Sequence, residues 1–231
     1  MKALVLAGGE GRRLRPILGD LPKCLADVQG RPFIEHQIEL LKSEGITEFV
    51  LCVGLGANLV RGALGDGRRL GISIEYSYEE EPLGTGGAIK NASSYIGPTF
   101  VCINGDTLVE FSLRDMEEVH SNSGAVGTIL FERASVRGRG TLELASDGRV
   151  LAFSEKVEPD ACGYINCGYY LMEKEILEHI PTQRCVSLER EIFPELLSSG
   201  LKLFAVKARG AFVDIGTPKD YLLIREKGWK K

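Results

Sequence analysis

The sequence predicts an α/β protein with a mixed, mostly parallel sheet that carries helices on both faces. Up to about residue 121, continuous apolar runs alternate with segments of helical periodicity, as in a doubly wound parallel sheet. After that, four strand-like runs follow one another closely, which indicates a small antiparallel portion beside the sheet. The chain has no linker, repeat or low-complexity segment, so we expect one domain over residues 1–231.

The first half of the chain opens on KALVLA at 2–7, a continuous apolar run typical of a strand that is buried on both faces. In the segment 32–45 the apolar residues share one helical face, and Gly45 ends the pattern. Ser112 and Asp115 form a capping box that opens a helix to about residue 121. The other elements predicted here are strands at 48–53, 72–78 and 100–104, and helices near 57–64 and 85–96.

The second half of the chain ends on a well-marked helix. Thr217 is its N-cap, Pro218 its first-turn proline and Asp220 its capping-box acid. Before it, we expect strands at 125–131, 140–145, 149–155, 163–172, 202–208 and 212–216, with helices at 173–180 and 188–199.

Charge and composition argue against several classes of protein. A net charge of −4 is unlike that of a general nucleic-acid binder. No apolar run is long enough to span a membrane, and the first strand begins without a signal-peptide pattern, so we expect no membrane partner. The six cysteines lack C-x-x-C spacing, which argues against zinc sites and disulfides and favours the cytoplasm.

A loop rich in glycine and arginine follows the first strand. Gly8, Gly9 and Gly11 allow backbone N–H groups to approach a ligand closely, and Arg12 and Arg13 supply donors for phosphate oxygens. The loop lacks the third glycine of the dinucleotide fingerprint, and the chain has no Walker motif. The pattern predicts a polyanion bound on a backbone loop, with an ordinary turn that carries solvated charges as the alternative.

Two aspartates, Asp106 and Asp214, follow predicted strands that are far apart in the sequence. Ligands of open parallel sheets bind beyond the carboxyl ends of the strands. Because Mg²⁺ takes few carboxylates and completes its shell with phosphate oxygens and water, the pattern predicts a magnesium–triphosphate site. The alternative is that each aspartate caps a turn or a helix. Lys23 is either a second phosphate donor or a solvated loop charge.

Two further features have both a functional and a structural interpretation. Lys156 with Glu155 offers a cation for a phosphate and a carboxylate for hydroxyls, or forms a surface ion pair. Gly84, Gly86 and Gly87 open a helix whose N–H groups are available to a ligand, or they allow tight packing. The three histidines lie in helix-like stretches, and no nucleophile motif is present, so covalent catalysis is not indicated.

Together, these motifs resemble the sugar-1-phosphate nucleotidyltransferase family, and the resemblance covers essentially the whole chain. The signature L-A-G-G-x-G-T-R-L-x-P is matched by Leu6–Pro16, with Arg12 at the usual threonine, and the following P-K by Pro22 and Lys23. The family's N-G-D motif corresponds to Asn104–Asp106, and its N-x-G-x-Y motif to Asn166–Tyr170. Its D-x-G-T motif corresponds to Asp214–Thr217. Its E-K-P motif corresponds to Glu155–Val157, with the proline delayed to Pro159.

The resemblance implies a Rossmann-like, GT-A-like nucleotidyltransferase domain. In this family a sugar phosphate oxygen attacks the α-phosphorus of a nucleoside triphosphate, and pyrophosphate leaves. The resemblance assigns Mg²⁺ to Asp106 and Asp214, and catalysis to these two residues with Arg13, Lys23 and Lys156. It assigns the nucleotide to Leu6, Ala7, Gly8, Gly9, Gly11, Arg12, Arg13, Lys23, Gly84, Thr85, Gly86, Asn104 and Asp106. It assigns the sugar phosphate to Gly105, Glu155, Lys156, Asn166, Gly168 and Glu189.

The stretches EEEPLGTGGAIKNA, INGDT and FVDIGTPKDY look most like the heptose-1-phosphate guanylyltransferases. The expected partners are therefore GTP and D-glycero-α-D-manno-heptose 1-phosphate, and a homodimer is compatible with the resemblance. Alternatives within the family are the mannose-1-phosphate guanylyltransferases and the uridylyl-, thymidylyl- or cytidylyltransferases of glucose or N-acetylmuramic acid. A non-catalytic nucleotide-sugar sensor on the same fold is the alternative of another class. The left-handed β-helix tail of many relatives is not expected here.

Overall fold

The computed structural model describes residues 1–136, 139–154, 162–182, 184–210 and 212–229. Its strands are β1 (Lys2–Leu6), β2 (Asp27–Val28), β3 (Arg31–Pro32), β4 (Glu48–Val53), β5 (Ser73–Tyr78), β6 (Thr99–Asn104), β7 (Thr107–Leu108), β8 (Gly127–Ser135), β9 (Thr141–Leu144), β10 (Val150–Ser154), β11 (Cys162–Glu173), β12 (Leu203–Lys207) and β13 (Val213–Asp214). Its α-helices are α1 (Arg15–Leu18), α2 (Phe33–Ser43), α3 (Ala57–Leu64), α4 (Gly84–Asn91), α5 (Leu113–Ser123), α6 (Phe193–Ser198) and α7 (Pro218–Lys227).

Nine of these strands form one mixed sheet. Its parallel half has the order β6-β1-β4-β5, and β11 joins it by pairing antiparallel with β6. The long strand β11 also pairs antiparallel with β8 and β9, so it connects the parallel half to the antiparallel half. The predicted fold class is confirmed, because the alternating first half and the strand-rich second half occupy the two halves of one sheet.

The core lies on both faces of the sheet because successive side chains of a strand point to opposite sides. Ala3 and Val5 of β1 belong to one apolar cluster, packed beneath α2, and Leu4 belongs to the other, packed beneath α4 and α6. A third, smaller cluster joins the segment around α1 to the C-terminal elements; its buried members are Leu14, Ala26, Val28, Phe33, Leu108, Val213, Ile215 and Tyr221.

Three predicted helices differ from the structure in type or length. The helix expected at 85–96 ends at Asn91. The segment expected as a helix at 173–180 is a 3-10 helix, Lys174–His179, and the Lys90 ammonium donates to the Leu177 carbonyl within it. The helix expected at 188–199 begins as a π-helical turn, Leu188–Ile192, before α6. None of the helices in the described ranges is both long and apolar enough to cross a membrane.

The predicted cap of the last helix is present. The Thr217 hydroxyl accepts a hydrogen bond from the Asp220 N–H at 3.2 Å and donates to the Asp220 carboxylate at 2.7 Å. We expect Thr217→Ala to lower the free energy of unfolding by about 1 kcal/mol, measured in urea, because the N–H loses its partner. Thr217→Ser retains the hydroxyl and should stay close to wild type, so equal losses in both variants would contradict this assignment.

Candidate active site

A cleft of about 390 Å³ lies beyond the carboxyl ends of β1 and β6, where open α/β sheets bind ligands. The loop that follows β1, the turn that follows β6 and the start of α4 surround it. Most of the residues that the sequence analysis assigned to the nucleotide are therefore together. The predicted residues that line the cleft are Leu6, Ala7, Gly8, Gly9, Gly11, Lys23, Gly84, Thr85, Asn104, Gly105 and Asp106.

Close packing explains two of the glycines in the cleft. A Cβ at Gly105 would lie 2.6 Å from the Leu6 carbonyl oxygen, and the Gly105 N–H donates to that same oxygen at 3.0 Å. A Cβ at Gly8 would displace the end of the Glu79 side chain. Glycine at these positions lets the turn after β6 and the side chain of Glu79 approach the backbone of the first loop.

The two predicted metal aspartates come from neighbouring segments. Asp106 immediately precedes β7, and β13 pairs antiparallel with β7 so that Asp214 lies opposite Thr107. The Ile215 N–H donates to the Asp106 carbonyl at 3.0 Å, which holds the two segments together. The Lys23 ammonium lies 2.7 Å from the Asp106 carboxylate and is mostly buried. The fold thus brings Lys23, Asp106 and Asp214 into one group.

The electrostatics of this group fit a divalent cation. Burial, followed by the negative charge of Asp106, raises the pKa of Asp214, although the Gly216 N–H and Lys23 partly oppose that shift. Two carboxylates that repel each other would be stabilised by a hard cation bound to both. In the part of the chain that the structure describes, no cluster of three or more His, Cys, Asp or Glu side chains could hold a metal alone. Phosphate oxygens and water would have to complete the shell.

The two arginines of the first loop occupy different positions. Arg12 is exposed and pairs with Glu10 at 2.6 Å, so its side chain does not line the cleft. Arg13 lies near the aspartate group, because its Nη2 is 3.3 Å from the point where a Cβ on Gly216 would lie. Neither arginine lines the cleft, and Arg13 differs from Arg12 in lying near the aspartate group.

The glycines of α4 do not all present free N–H groups, which corrects the expectation for Gly86. The N–H of Gly86 donates to the Val186 carbonyl at 2.9 Å, and that of Gly87 donates to the same oxygen at 3.4 Å. A Cβ at Gly87 would lie 2.8 Å from the Arg184 carbonyl oxygen. Tight packing against the segment before the π-helical turn is therefore the correct interpretation of these two glycines.

A smaller cavity of about 190 Å³ contains two of the residues predicted to bind the sugar, Asn166 and Glu189. Glu189 accepts hydrogen bonds from the Thr85 hydroxyl at 2.8 Å and the Tyr170 hydroxyl at 3.0 Å. Asn166 donates to the same Tyr170 oxygen at 2.8 Å. These bonds connect the cleft to the smaller cavity. Gly168 lies against the Asn104 side chain, and Glu155 and Lys156 lie outside the described residues.

Glu79 is a cleft residue that the sequence analysis missed. Its carboxylate reaches the Gly8 backbone and accepts a hydrogen bond from the Leu83 N–H at 3.1 Å. Burial raises the pKa of this carboxyl group. Glu79 directly follows β5, so the strand-end argument that was applied to Asp106 would have found it. The other cleft residues that were not predicted are Glu10, Cys24, Pro82, Ala88 and Cys185.

A glycine-lined cleft beyond the carboxyl ends of the strands, with a lysine and an aspartate in its lining and a second aspartate beside them, is the arrangement of an α/β protein that binds its ligand at the end of the sheet. The chain belongs to the nucleotidyl transferase family, whose model matches residues 2–229. The family predicted from the sequence motifs is confirmed. Members of this family generally use a divalent metal and act on a nucleotide and a sugar phosphate.

Three known proteins illustrate the similarity. The chain is 36% identical over 223 residues to the mannose-1-phosphate guanylyltransferase of Mycobacterium tuberculosis, which covers 95% of this chain and 62% of the relative. It is 32% identical over 238 residues to the UTP–glucose-1-phosphate uridylyltransferase of Synechocystis, and this match covers 96% of this chain and 61% of the relative. The chain is 32% identical to HddC from Yersinia pseudotuberculosis, whose crystal structure superposes with a TM-score of 0.84 over 98% of both chains. HddC has also been solved in complex with GMP-PN. The chain spans about three-fifths of the length of the curated relatives it matches.

Proposed function

We propose that this protein transfers a nucleotidyl group from a nucleoside triphosphate to a sugar 1-phosphate, giving a nucleotide sugar and pyrophosphate, with Mg²⁺ as the metal. One observation carries the proposal: Lys23 and Asp106 line the cleft together with the first glycine loop, and Asp214 lies beside Asp106 on the strand that pairs with β7. A nucleotide bound along that loop would have its phosphates among these charged groups.

The residues of the chain would act mainly by positioning and by neutralising charge. Lys23 and Arg13 would donate to phosphate oxygens while a sugar phosphate oxygen forms a bond to the α-phosphorus and the bond to pyrophosphate breaks. Mg²⁺ held by Asp106 and Asp214 would supply positive charge at the phosphates. Lys156, which the family motif assigns to the sugar phosphate, and Glu155 and Asn166, which it assigns to the acceptor, complete the proposed set.

We propose GTP as the nucleotide, and Glu79 is the residue that supports this choice. Guanine presents two adjacent donors, N1–H and the 2-amino group, which match the acceptor oxygens of a carboxylate. Uracil and thymine place a carbonyl on each side of their single N–H, so a carboxylate would repel them. The guanylyltransferase relatives and the GMP-PN complex of HddC support the same base.

The base preference gives a direct test of this proposal. We expect GTP to exceed ATP and UTP by more than about tenfold in kcat/KM, measured as pyrophosphate release with a panel of sugar 1-phosphates. Glu79→Gln should reduce the preference for GTP over UTP by about tenfold, because one acceptor becomes a donor.

The matched control is Glu81→Gln, an exposed acid of the same run that does not line the main cleft. A wild-type preference for a pyrimidine nucleotide, or an equal change in both variants, would contradict the assignment of guanine to Glu79. Binding of a nucleotide without pyrophosphate release on any sugar phosphate would favour the non-catalytic sensor instead.

For the acceptor, we propose D-glycero-α-D-manno-heptose 1-phosphate, with mannose 1-phosphate as the nearest alternative. The two sugars share their ring and differ only in the carbon beyond C6. Discrimination between them should therefore be modest, and the same assay measures it when both acceptors are titrated at saturating nucleotide.

A further inference from the structure

A buried glutamine in α2 contacts the turn that carries Asp106. Gln37 has no exposed surface, and its amide nitrogen donates to two backbone carbonyls, that of Asn104 at 2.8 Å and that of Thr107 at 2.7 Å. These two residues are the first and the last of the turn in which Asp106 lies. One side-chain nitrogen therefore connects both ends of this turn.

Packing alone does not explain a glutamine at this position. Phe33, Ile34, Ile38 and Leu41 of the same helix are buried apolar residues, so an apolar side chain at 37 would continue the same pattern. Burying an amide has an energetic penalty unless its polar atoms are bonded, and the Gln37 carbonyl oxygen has no hydrogen-bond partner among the described residues. The feature that requires glutamine is the pair of N–H bonds to the turn.

Several neighbouring elements hold the same turn. The Gly105 N–H donates to Leu6 in β1, and the Asp106 carbonyl accepts from Ile215 beside β13. These contacts fix the middle of the turn to its neighbours. At the ends, the Thr107 hydroxyl donates to the Asn104 carbonyl at 3.5 Å and the Tyr169 hydroxyl donates to the Thr107 carbonyl at 3.3 Å, whereas the two bonds from Gln37 are the shorter ones and join both ends to α2. Since the carboxylate of Asp106 projects from this turn towards Lys23, the separation of the ends determines where that carboxylate points.

We propose that Gln37 is a positioning residue for the metal-binding carboxylate of Asp106, an inference that rests on the proposed function. Without the two N–H bonds, the distance between the two ends of the turn would vary. The Asp106 carboxylate would then less often be placed where it can bind the same cation as Asp214. Because Gln37 does not line the cleft, its loss should weaken metal binding while nucleotide recognition at the glycine loop persists.

The test uses Mn²⁺ as the probe in the presence of GTP. Gln37→Met retains the volume of the side chain, and Gln37→Glu retains its shape but replaces both N–H donors by acceptors. We expect both variants to bind Mn²⁺ about tenfold more weakly by electron paramagnetic resonance, and to need correspondingly more Mg²⁺ for half-maximal turnover. The KM for GTP at saturating metal should remain within about twofold of wild type.

The matched control is Leu41→Ala, which removes a fully buried side chain from the next turn of α2 and should lower the melting temperature without changing Mn²⁺ affinity. If wild type binds Mn²⁺ with GTP and either folded Gln37 variant binds it equally well, this inference is overturned and the proposed function stands. If wild type itself binds no Mn²⁺ with GTP, both are overturned.

Discussion

Replacing either Asp106 or Asp214 by asparagine will lower turnover by at least about a hundredfold while the protein stays folded. Each substitution removes one of the two negative charges that would hold the metal at the phosphates, and asparagine retains nearly the same shape. Pyrophosphate release at saturating GTP and sugar phosphate measures the loss.

Asp214→Asn should have the opposite effect on stability. Asp214 lies buried beside Asp106, and this environment raises its pKa because the charged form is disfavoured. Asp214→Asn removes the repulsion and retains an oxygen that accepts the Gly216 N–H, which now lies 2.5 Å from the carboxylate. In metal-free buffer we therefore expect a melting temperature equal to or above that of wild type.

The control for this pair is Asp66→Asn, which changes an exposed acid whose ion-pair partner is Arg68, away from the cleft. Its turnover should remain within about twofold of wild type. Near-normal turnover of Asp106→Asn or Asp214→Asn under limiting Mg²⁺ would contradict the assignment of that residue to the metal site.

Lys23→Met should give the second large loss, again at least about a hundredfold in turnover. The side chain is only 16% exposed and its ammonium lies 2.7 Å from the Asp106 carboxylate, so its removal leaves Asp106 without its ion-pair partner beside the second carboxylate, Asp214. We also expect the free energy of unfolding to fall by about 2 kcal/mol, since a charged hydrogen bond in a mostly buried position is lost. Turnover and urea unfolding of the same preparation test both effects.

Lys2→Met is the matched control because Lys2 also forms an ion pair, with Glu75 of β5, but at the amino-terminal end of β1, away from the cleft. Its turnover should not change. If Lys23→Met retains wild-type turnover and loses only stability, Lys23 is a structural partner of Asp106 rather than a phosphate donor.

Much of the cleft could be predicted because its groups sit where strands end. The apolar run before Gly8 and the run before Asn104 define β1 and β6, and parallel pairing places their carboxyl ends side by side. The pairing of β7 with β13, which brings Asp214 to Asp106, joins distant segments, and each strand is too short to show a periodicity of its own. The strand-end argument and the family motifs gave reason to expect the two aspartates at one site, but neither predicted this strand pairing.

The remaining differences have long-range causes. The N–H groups of Gly86 and Gly87 donate to the carbonyl of Val186, about a hundred positions further along the chain. The local sequence suggests that these N–H groups at the start of the helix are free, whereas in the fold a distant segment binds them. Glu79 belongs to a run of three glutamates that is typical of a solvated loop. Its position directly after β5 was a signal for the cleft, but its contact with Gly8 joins distant segments. Local patterns predict helices and strands well, but they say little about which distant segment will pack against the end of a given helix or strand.

The pairing of β7 with β13 also determines how the protein can lose its activity. Val213 and Ile215 pack in the small third cluster, not in the two large clusters that flank the sheet. A local opening that released β13 and α7 would separate the two aspartates while most of the core stayed folded. A cation and a triphosphate bound across both segments would join them and oppose that opening. The substrates would thus stabilise the segment on which their own binding depends.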